Sequence, residues 1–188
     1  YASVLQQRFV EALGRHDREG FEQAAERFLA LIGDLDTVLA TRGEFLLGRW
    51  LRDARAMGTT PAESDLYEQN ARNLITTWGN KECRIADYAC RQWSGMMSGY
   101  YAPRWERFFE AIRAAGYTMD EAAYKAFAAS SKEWEWQWTL GHESYPTEPS
   151  GDEIEACKAV HARYRAEMQC EEFLDNRDFT PTAGKELI

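Results

Sequence analysis

Between Phe21 and Leu39 the chain carries Phe21, Ala24, Ala25, Phe28, Leu31, Ile32, Leu35, Val38 and Leu39 at three- and four-residue steps, with charged residues between them. That is one apolar stripe along about six helical turns, and a helix of this kind must bury its stripe against other elements. Asp17 stands where an N-cap is needed. A shorter helix precedes it, carrying Val4, Leu5, Phe9, Val10 and Leu13 and ending at Gly14.

The same period continues downstream. After Gly43 a helix is predicted through Phe45, Leu46, Leu47, Trp50, Leu51, Ala54 and Met57, stopped by Gly58. Thr60, Pro61 and Glu63 then form the signature of a capping box with proline at the first helical position. That helix carries Leu66, Tyr67, Asn70 and Leu74, reaches toward Thr77, and is broken by Trp78-Gly79-Asn80. Asp87 is expected to cap a helix holding Tyr88, Cys90, Trp93 and Met97, and Pro103 to open the next, with Trp105, Phe108, Phe109 and Ile112, closed by Gly116. One or two helices span Asp120 to Trp138. Ser144 to Gly151, with Pro146 and Pro149, is a connection, and a last helix covers about Asp152 to Met168. Only Glu133 to Trp138 alternates with period two, and a lone strand there would have nothing to pair with, so it reads as helix. The expected fold is all-α, an irregular bundle of about seven or eight helices. It should occupy residues 1–170, with 171–188 an extended or mobile tail.

Composition narrows the function. Apolar residues at 45% supply a core for one domain, and a net charge of −9 repels phosphate backbones and anionic lipid. Nucleic acid and membrane are therefore not expected partners, and no apolar run reaches the length that spans a bilayer. The stretch beginning at Tyr1 shows no signal peptide and no initiator Met, which leaves export open. Seven Trp residues suit wide helix interfaces and sugar platforms alike.

No catalytic constellation is legible from the residues alone. His16, His142 and His161 stand beside no nucleophile motif, and there is no phosphate-binding glycine loop. The cysteines Cys83, Cys90, Cys157 and Cys170 lack CxxC spacing, and their spacing does not decide between thiols and disulfides. Cys157 and His161 lie four apart but supply only two ligands, so no metal and no cofactor are expected. Two carboxylates can hydrolyse a glycosidic bond, yet nothing selects a pair among thirty-one acidic side chains.

Several blocks in fixed order carry a resemblance: Phe45-Leu46-Leu47-Gly48-Arg49-Trp50-Leu51 with Ala54-Arg55-Ala56; Asp65-Leu66-Tyr67-Glu68-Gln69-Asn70-Ala71-Arg72; Thr77-Trp78-Gly79; Asp87-Tyr88-Ala89 with Gln92; Tyr100-Tyr101-Ala102-Pro103-Arg104-Trp105; and Tyr145-Pro146 with Pro149 and Gly151-Asp152. Over Glu44 to about Asp152 the chain resembles the helical C-terminal region of the α-N-acetylglucosaminidases, glycoside hydrolase family 89. The resemblance implies a retaining exo-glycosidase that removes terminal α-linked N-acetylglucosamine, as from heparan sulfate or mucin-type glycans. It also implies a (β/α)8 catalytic barrel bearing both catalytic glutamates. A barrel takes about 250 residues, so no catalytic residue is expected in this chain, which alone should be inactive. The barrel of the parent polypeptide would be its partner. Family members are exported if bacterial and lysosomal if animal.

By the same resemblance Trp78, Ile85 and Tyr88 match residues lining the sugar pocket. Aromatic faces stack on the C–H face of a terminal sugar, which suits Trp78 and Tyr88. Ile85 is matched by its nearness to Asp87-Tyr88, across a loop slightly longer than in animal members. Read without the family, Trp78 more simply plugs a gap between helices, and Tyr88 packs with its hydroxyl on a carbonyl. Arg49, Arg72 and Arg104 are expected to pair with carboxylates at the core edge or with the barrel rather than with substrate. A stand-alone helical module binding a glycan or a protein is the alternative reading.

Overall fold

The computed structural model describes residues 1–83, 86–118 and 120–168. Ile85, Cys170 and the expected tail at 171–188 lie outside them. Among the described residues the fold is all-α, with no strand and seven α-helices. These are α1 (Ala2–Gly14), α2 (Arg18–Leu39), α3 (Leu47–Arg55), α4 (Pro61–Ile75), α5 (Ala102–Ala114), α6 (Glu121–Thr139) and α7 (Glu153–Met168). No helix of the described residues is long and apolar enough to cross a membrane.

Two apolar clusters organise the bundle. In the first, α1 and α2 pack as an antiparallel hairpin against α5 and α7 through Phe9, Phe21, Phe28, Phe109, Ile112 and Tyr164. Asp17 caps α2 by accepting from the Gly20 N–H at 2.9 Å. Phe9 meets Phe21, Phe28, Trp105 and Phe109 edge to face, with centroids 5.2–6.3 Å apart, a geometry that satisfies the ring quadrupoles as well as burying area. The second cluster joins α3, α4 and the end of α6 through Leu47, Leu51, Ala71, Ile75, Tyr100 and Trp138. Tyr101 packs against both clusters, so the segment before α5 is the hinge pin between them.

The helix starts show where local signals suffice. Thr60 accepts from the Glu63 N–H and the Glu63 carboxylate reaches back to the Thr60 N–H, a complete capping box with Pro61 behind it. Asp120 caps a single α6 that runs through Glu133–Trp138. The helix after Gly43 is shorter than expected: a 3₁₀ turn, Gly43–Phe45, precedes α3, and Leu46 leaves the helix to pair with Ser94. Gly48 lies so close to the Tyr145–Pro146 backbone that a Cβ there would land on both carbonyl oxygens.

The expected helix at Asp87 does not form. Asp87 has φ +59°, residues 86–89 are turns and 90–93 irregular, and helical structure resumes only at Met96, ahead of a π-helical turn, Met97–Tyr101, continuous with α5. The cap comes from another helix. Asp36 of α2 accepts from the N–H groups of Gly95 at 2.7 Å and Ser98 at 3.1 Å and from the Ser94 hydroxyl at 3.2 Å. A carboxylate at those exposed donors also meets the positive end of the helix.

Candidate functional site

The site region begins where α4 ends. Thr76 departs from helical backbone, and the Thr76 and Trp78 N–H groups both turn back to the Asn73 carbonyl, at 3.1 and 2.8 Å. The Asn73 side-chain amide donates to the Gly79 carbonyl and locks the turn. Trp78 occupies the left-handed position, φ +60°, that usually falls to glycine after a helix. For a side chain of this size the conformation costs about 1–2 kcal/mol. It swings the indole out of the helix line, and Trp78 stays 38% exposed.

The chain returns to the same place at Asp87. Its N–H donates to the Thr76 carbonyl at 2.7 Å, its own backbone is left-handed, and its carbonyl accepts from the Cys90 N–H at 2.8 Å. Tyr88 therefore projects beside Trp78, with ring centroids 5.1 Å apart and planes at 45°. Tyr88 is 70% exposed. Of the five non-glycine residues with positive φ among the described residues, Trp78, Asp87 and Cys90 lie in this one stretch. Strain concentrated in that way persists only where surrounding contacts over-determine the backbone. The structure thus brings Trp78 and Tyr88 into one exposed aromatic pair, while Ile85 lies outside the described residues.

The contacts that hold the stretch come from beneath. Arg104 of α5 donates to the Asp87 carboxylate at 2.6 Å and to Glu135 of α6 at 3.2 Å. Its guanidinium lies against the rings of Tyr100 and Tyr101, at 5.1 and 5.3 Å, and Tyr101 donates its hydroxyl to the Arg91 carbonyl. Burial pushes the Tyr101 phenol up to about 12, with the nearby Asp87 charge acting in the same direction. Burial likewise raises the Glu135 carboxyl, against the opposing pull of Arg104. From sequence Arg104 is expected to pair with a core-edge carboxylate or with the barrel; the carboxylate it meets is Asp87, expected there as a helix cap. The two stand on different elements, and no local pattern joins them.

A second polar cluster lies under α4. Glu68 is 4% exposed and Arg72 is fully buried. One Glu68 oxygen accepts both Nε and Nη2 of Arg72, at 2.9 and 2.8 Å, and the other accepts from Arg55 at 2.6 Å and lies 3.1 Å from His142. Arg72 also stacks over Trp138 and donates to the Glu143 carbonyl. This cluster floors an open groove of about 640 Å³ between α3 and the 142–147 connection. Arg49 pairs with Glu148 and the Thr147 carbonyl across the same connection. All three arginines thus bind protein carboxylates. Cys83, Cys90 and Cys157 are free thiols. Cys157 and His161 both stand on α7, and no three His, Cys, Asp or Glu side chains converge as a metal site among the described residues.

The described residues thus form a helical module that presents an exposed aromatic pair on a strained turn. The family is specific. The family model described as "Alpha-N-acetylglucosaminidase (NAGLU) C-terminal domain" matches residues 1–163, and the chain belongs to that family. Human α-N-acetylglucosaminidase is 38% identical over 134 residues, which span 71% of this chain and 18% of that protein. The family 89 glycoside hydrolase from Clostridium perfringens in complex with 2-acetamido-1,2-dideoxynojirmycin superposes with a TM-score of 0.74 at 30% identity, covering 87% of this chain and 19% of that one. The Clostridium perfringens structure in complex with its substrate GlcNAc-α-1,4-galactose gives a TM-score of 0.74 at 29% identity, covering 89% and 20%. The chain therefore spans about a fifth of the length of these relatives.

Proposed function

We propose that this chain is the helical domain of an exo-acting, retaining α-N-acetylglucosaminidase. In this reading it packs on a (β/α)8 catalytic barrel in the rest of the parent protein and completes one wall of the pocket for a terminal α-linked N-acetylglucosamine. The catalytic glutamates belong to the barrel, and the isolated chain is inactive. Terminal N-acetylglucosamine on heparan sulfate or mucin-type glycans is the substrate class. The observation that carries the reading is the Trp78–Tyr88 pair, exposed and held on left-handed backbone, at the end of an exposed apolar face of α4. Leu66, Tyr67, Asn70 and Leu74 fall in one sector of that helix about 100° wide, opposite the buried Glu68, Ala71, Arg72 and Ile75. An uncovered apolar face continuous with an aromatic pair fits a surface that another domain closes over.

The test is steady-state kinetics of the full-length parent on an aryl α-N-acetylglucosaminide, with Trp78→Ala and Tyr88→Ala compared with wild type. Loss of one stacking contact worth about 1 kcal/mol should raise KM about fivefold. Unchanged kinetics in both variants would remove these residues from the pocket. If instead the 188-residue chain by itself captured N-acetylglucosamine-terminated glycans, the stand-alone binding module would be the better description.

A further inference from the structure

We propose that Arg104 is a positioning residue for the sugar-facing aromatic pair and acts through Asp87. The inference rests on the reading that Trp78 and Tyr88 line the pocket. It starts from a mechanical problem. Tyr88 is 70% exposed and Trp78 is its one ring partner among the described residues, so packing on Tyr88 itself cannot set where its ring points. What is set is the backbone on either side. Trp78 and Asp87 are both left-handed, and the hydrogen bond from the Asp87 N–H to the Thr76 carbonyl ties the two turns together. Thr76 is in turn held to α4 by its hydroxyl on the Arg72 carbonyl at 2.7 Å.

The Asp87 carboxylate is the other handle on that backbone. Oδ2 accepts from Arg104 at 2.6 Å, while Oδ1 is buried without a hydrogen-bond partner among the described residues. A charged oxygen half-desolvated in this way stays in place only because the guanidinium is beside it. Arg104 is itself immobilised. It stands in the first turn of α5, bridges to Glu135 on α6, and lies against Tyr100 and Tyr101. The line from two packed helices to the exposed pair is therefore Arg104, the Asp87 carboxylate, the Asp87 N–H, Thr76 and Trp78. Tyr88 is peptide-bonded to the middle of that line. Arg104 touches no ring of the pair, so its effect on substrate is transmitted through Asp87.

The experiment uses the full-length parent enzyme with Asp87→Asn, Arg104→Met, Tyr88→Ala and the double variant Asp87→Asn/Tyr88→Ala. Asparagine tolerates left-handed backbone and keeps the shape of the side chain, so Asp87→Asn tests the ion pair even where Arg104→Met fails to fold. Asp87→Asn is expected to raise KM several-fold, about three- to tenfold, with kcat within about twofold. The double variant is expected to fall short of the product of the two single effects, because once the Tyr88 ring is absent only Trp78 is left to be mispositioned. A KM unmoved by Asp87→Asn when Tyr88→Ala raises it would overturn the inference, and so would additive effects in the double variant. If Tyr88→Ala itself leaves KM unchanged, Tyr88 does not line the pocket, the pocket reading fails where Trp78→Ala is silent too, and amide hydrogen exchange still decides the positioning role. Lower protection, relative to intrinsic rates, of the residue 78 and residue 87 amides in Asp87→Asn, with α1 and α2 unaltered, supports it. Unaltered protection overturns it.

Discussion

Glu68 is an acid that the fold buries and yet keeps charged. Burial alone would raise its pKa, but hydrogen bonds from His142, Arg72 and Arg55 together hold it below its ordinary 4.5. The sign of the linkage follows. A carboxylate whose folded pKa is depressed contributes stability that is fully present above the unfolded value, and loses it as pH falls through the folded one. Glu68→Gln removes that contribution and leaves the buried Arg72 facing a neutral amide. The expected cost at pH 7 is about 3 kcal/mol, in the range for breaking one side of a buried pair. The gap between wild type and variant should narrow below about pH 4.5 as the wild-type carboxylate protonates. Urea unfolding of the chain at pH 7 and pH 4 measures both. A gap independent of pH would mean that Glu68 is held by packing rather than by its charge. At this scale the sequence was a good guide to pairing and a poor one to depth. The i,i+4 spacing of Glu68 and Arg72 is visible in the text of the chain, whereas the burial of both depends on Trp138 and Tyr145, about seventy residues away.

Element boundaries followed local chemistry where a cap was built from neighbours. The α4 start is the clearest instance. Thr60 and Glu63 each satisfy an amide that the helix leaves open, and Glu63 also accepts from the Thr59 N–H and hydroxyl. Thr60→Ala should cost about 1 kcal/mol, read as a shift of the urea midpoint with the slope unchanged. A loss much below a few tenths would mean that Glu63 alone suffices. The failure at Asp87 is instructive beside this success. Asp-Tyr-Ala carries the local look of an N-cap, but Arg104 claims the carboxylate, and the helix that follows takes its cap from Asp36, some sixty residues earlier. A side chain that reaches across the fold leaves no periodic trace. The same holds for the candidate site. Trp78 and Tyr88 were selected by their match to a family, and a helix-ending Trp-Gly pair hinted at projection. Their contact depends on the bond between the Asp87 N–H and the Thr76 carbonyl, which no spacing rule announces.

At the scale of the whole molecule, the two apolar clusters meet at Tyr101. Trp50 reaches α4, the helix that carries exposed Leu66, Tyr67 and Leu74, through its indole N–H on the Ala71 carbonyl, and packs near Trp93. If the rest of the parent covers the exposed face of that helix, a charge placed there is tolerated by the chain and not by the assembly. Leu74→Glu is a suitable probe because Leu74 is exposed in the chain and lies on α4 just before the Trp78 turn. In the 188-residue chain it should change stability by no more than about 0.5 kcal/mol. In the full-length parent it would bury an unpaired carboxylate between domains, and the thermal midpoint should fall by several degrees, about 1–3 kcal/mol of lost stability. Val10→Glu, on the outer side of α1 in the other cluster, is the matched comparison. Loss with Leu74→Glu and not with Val10→Glu would assign the docking face to α4. Equal loss would spread the contact over both clusters, and no loss with either would leave the α4 face open to solvent in the parent, which removes the apolar-face argument for the barrel contact and leaves the aromatic pair to stand on its kinetics alone.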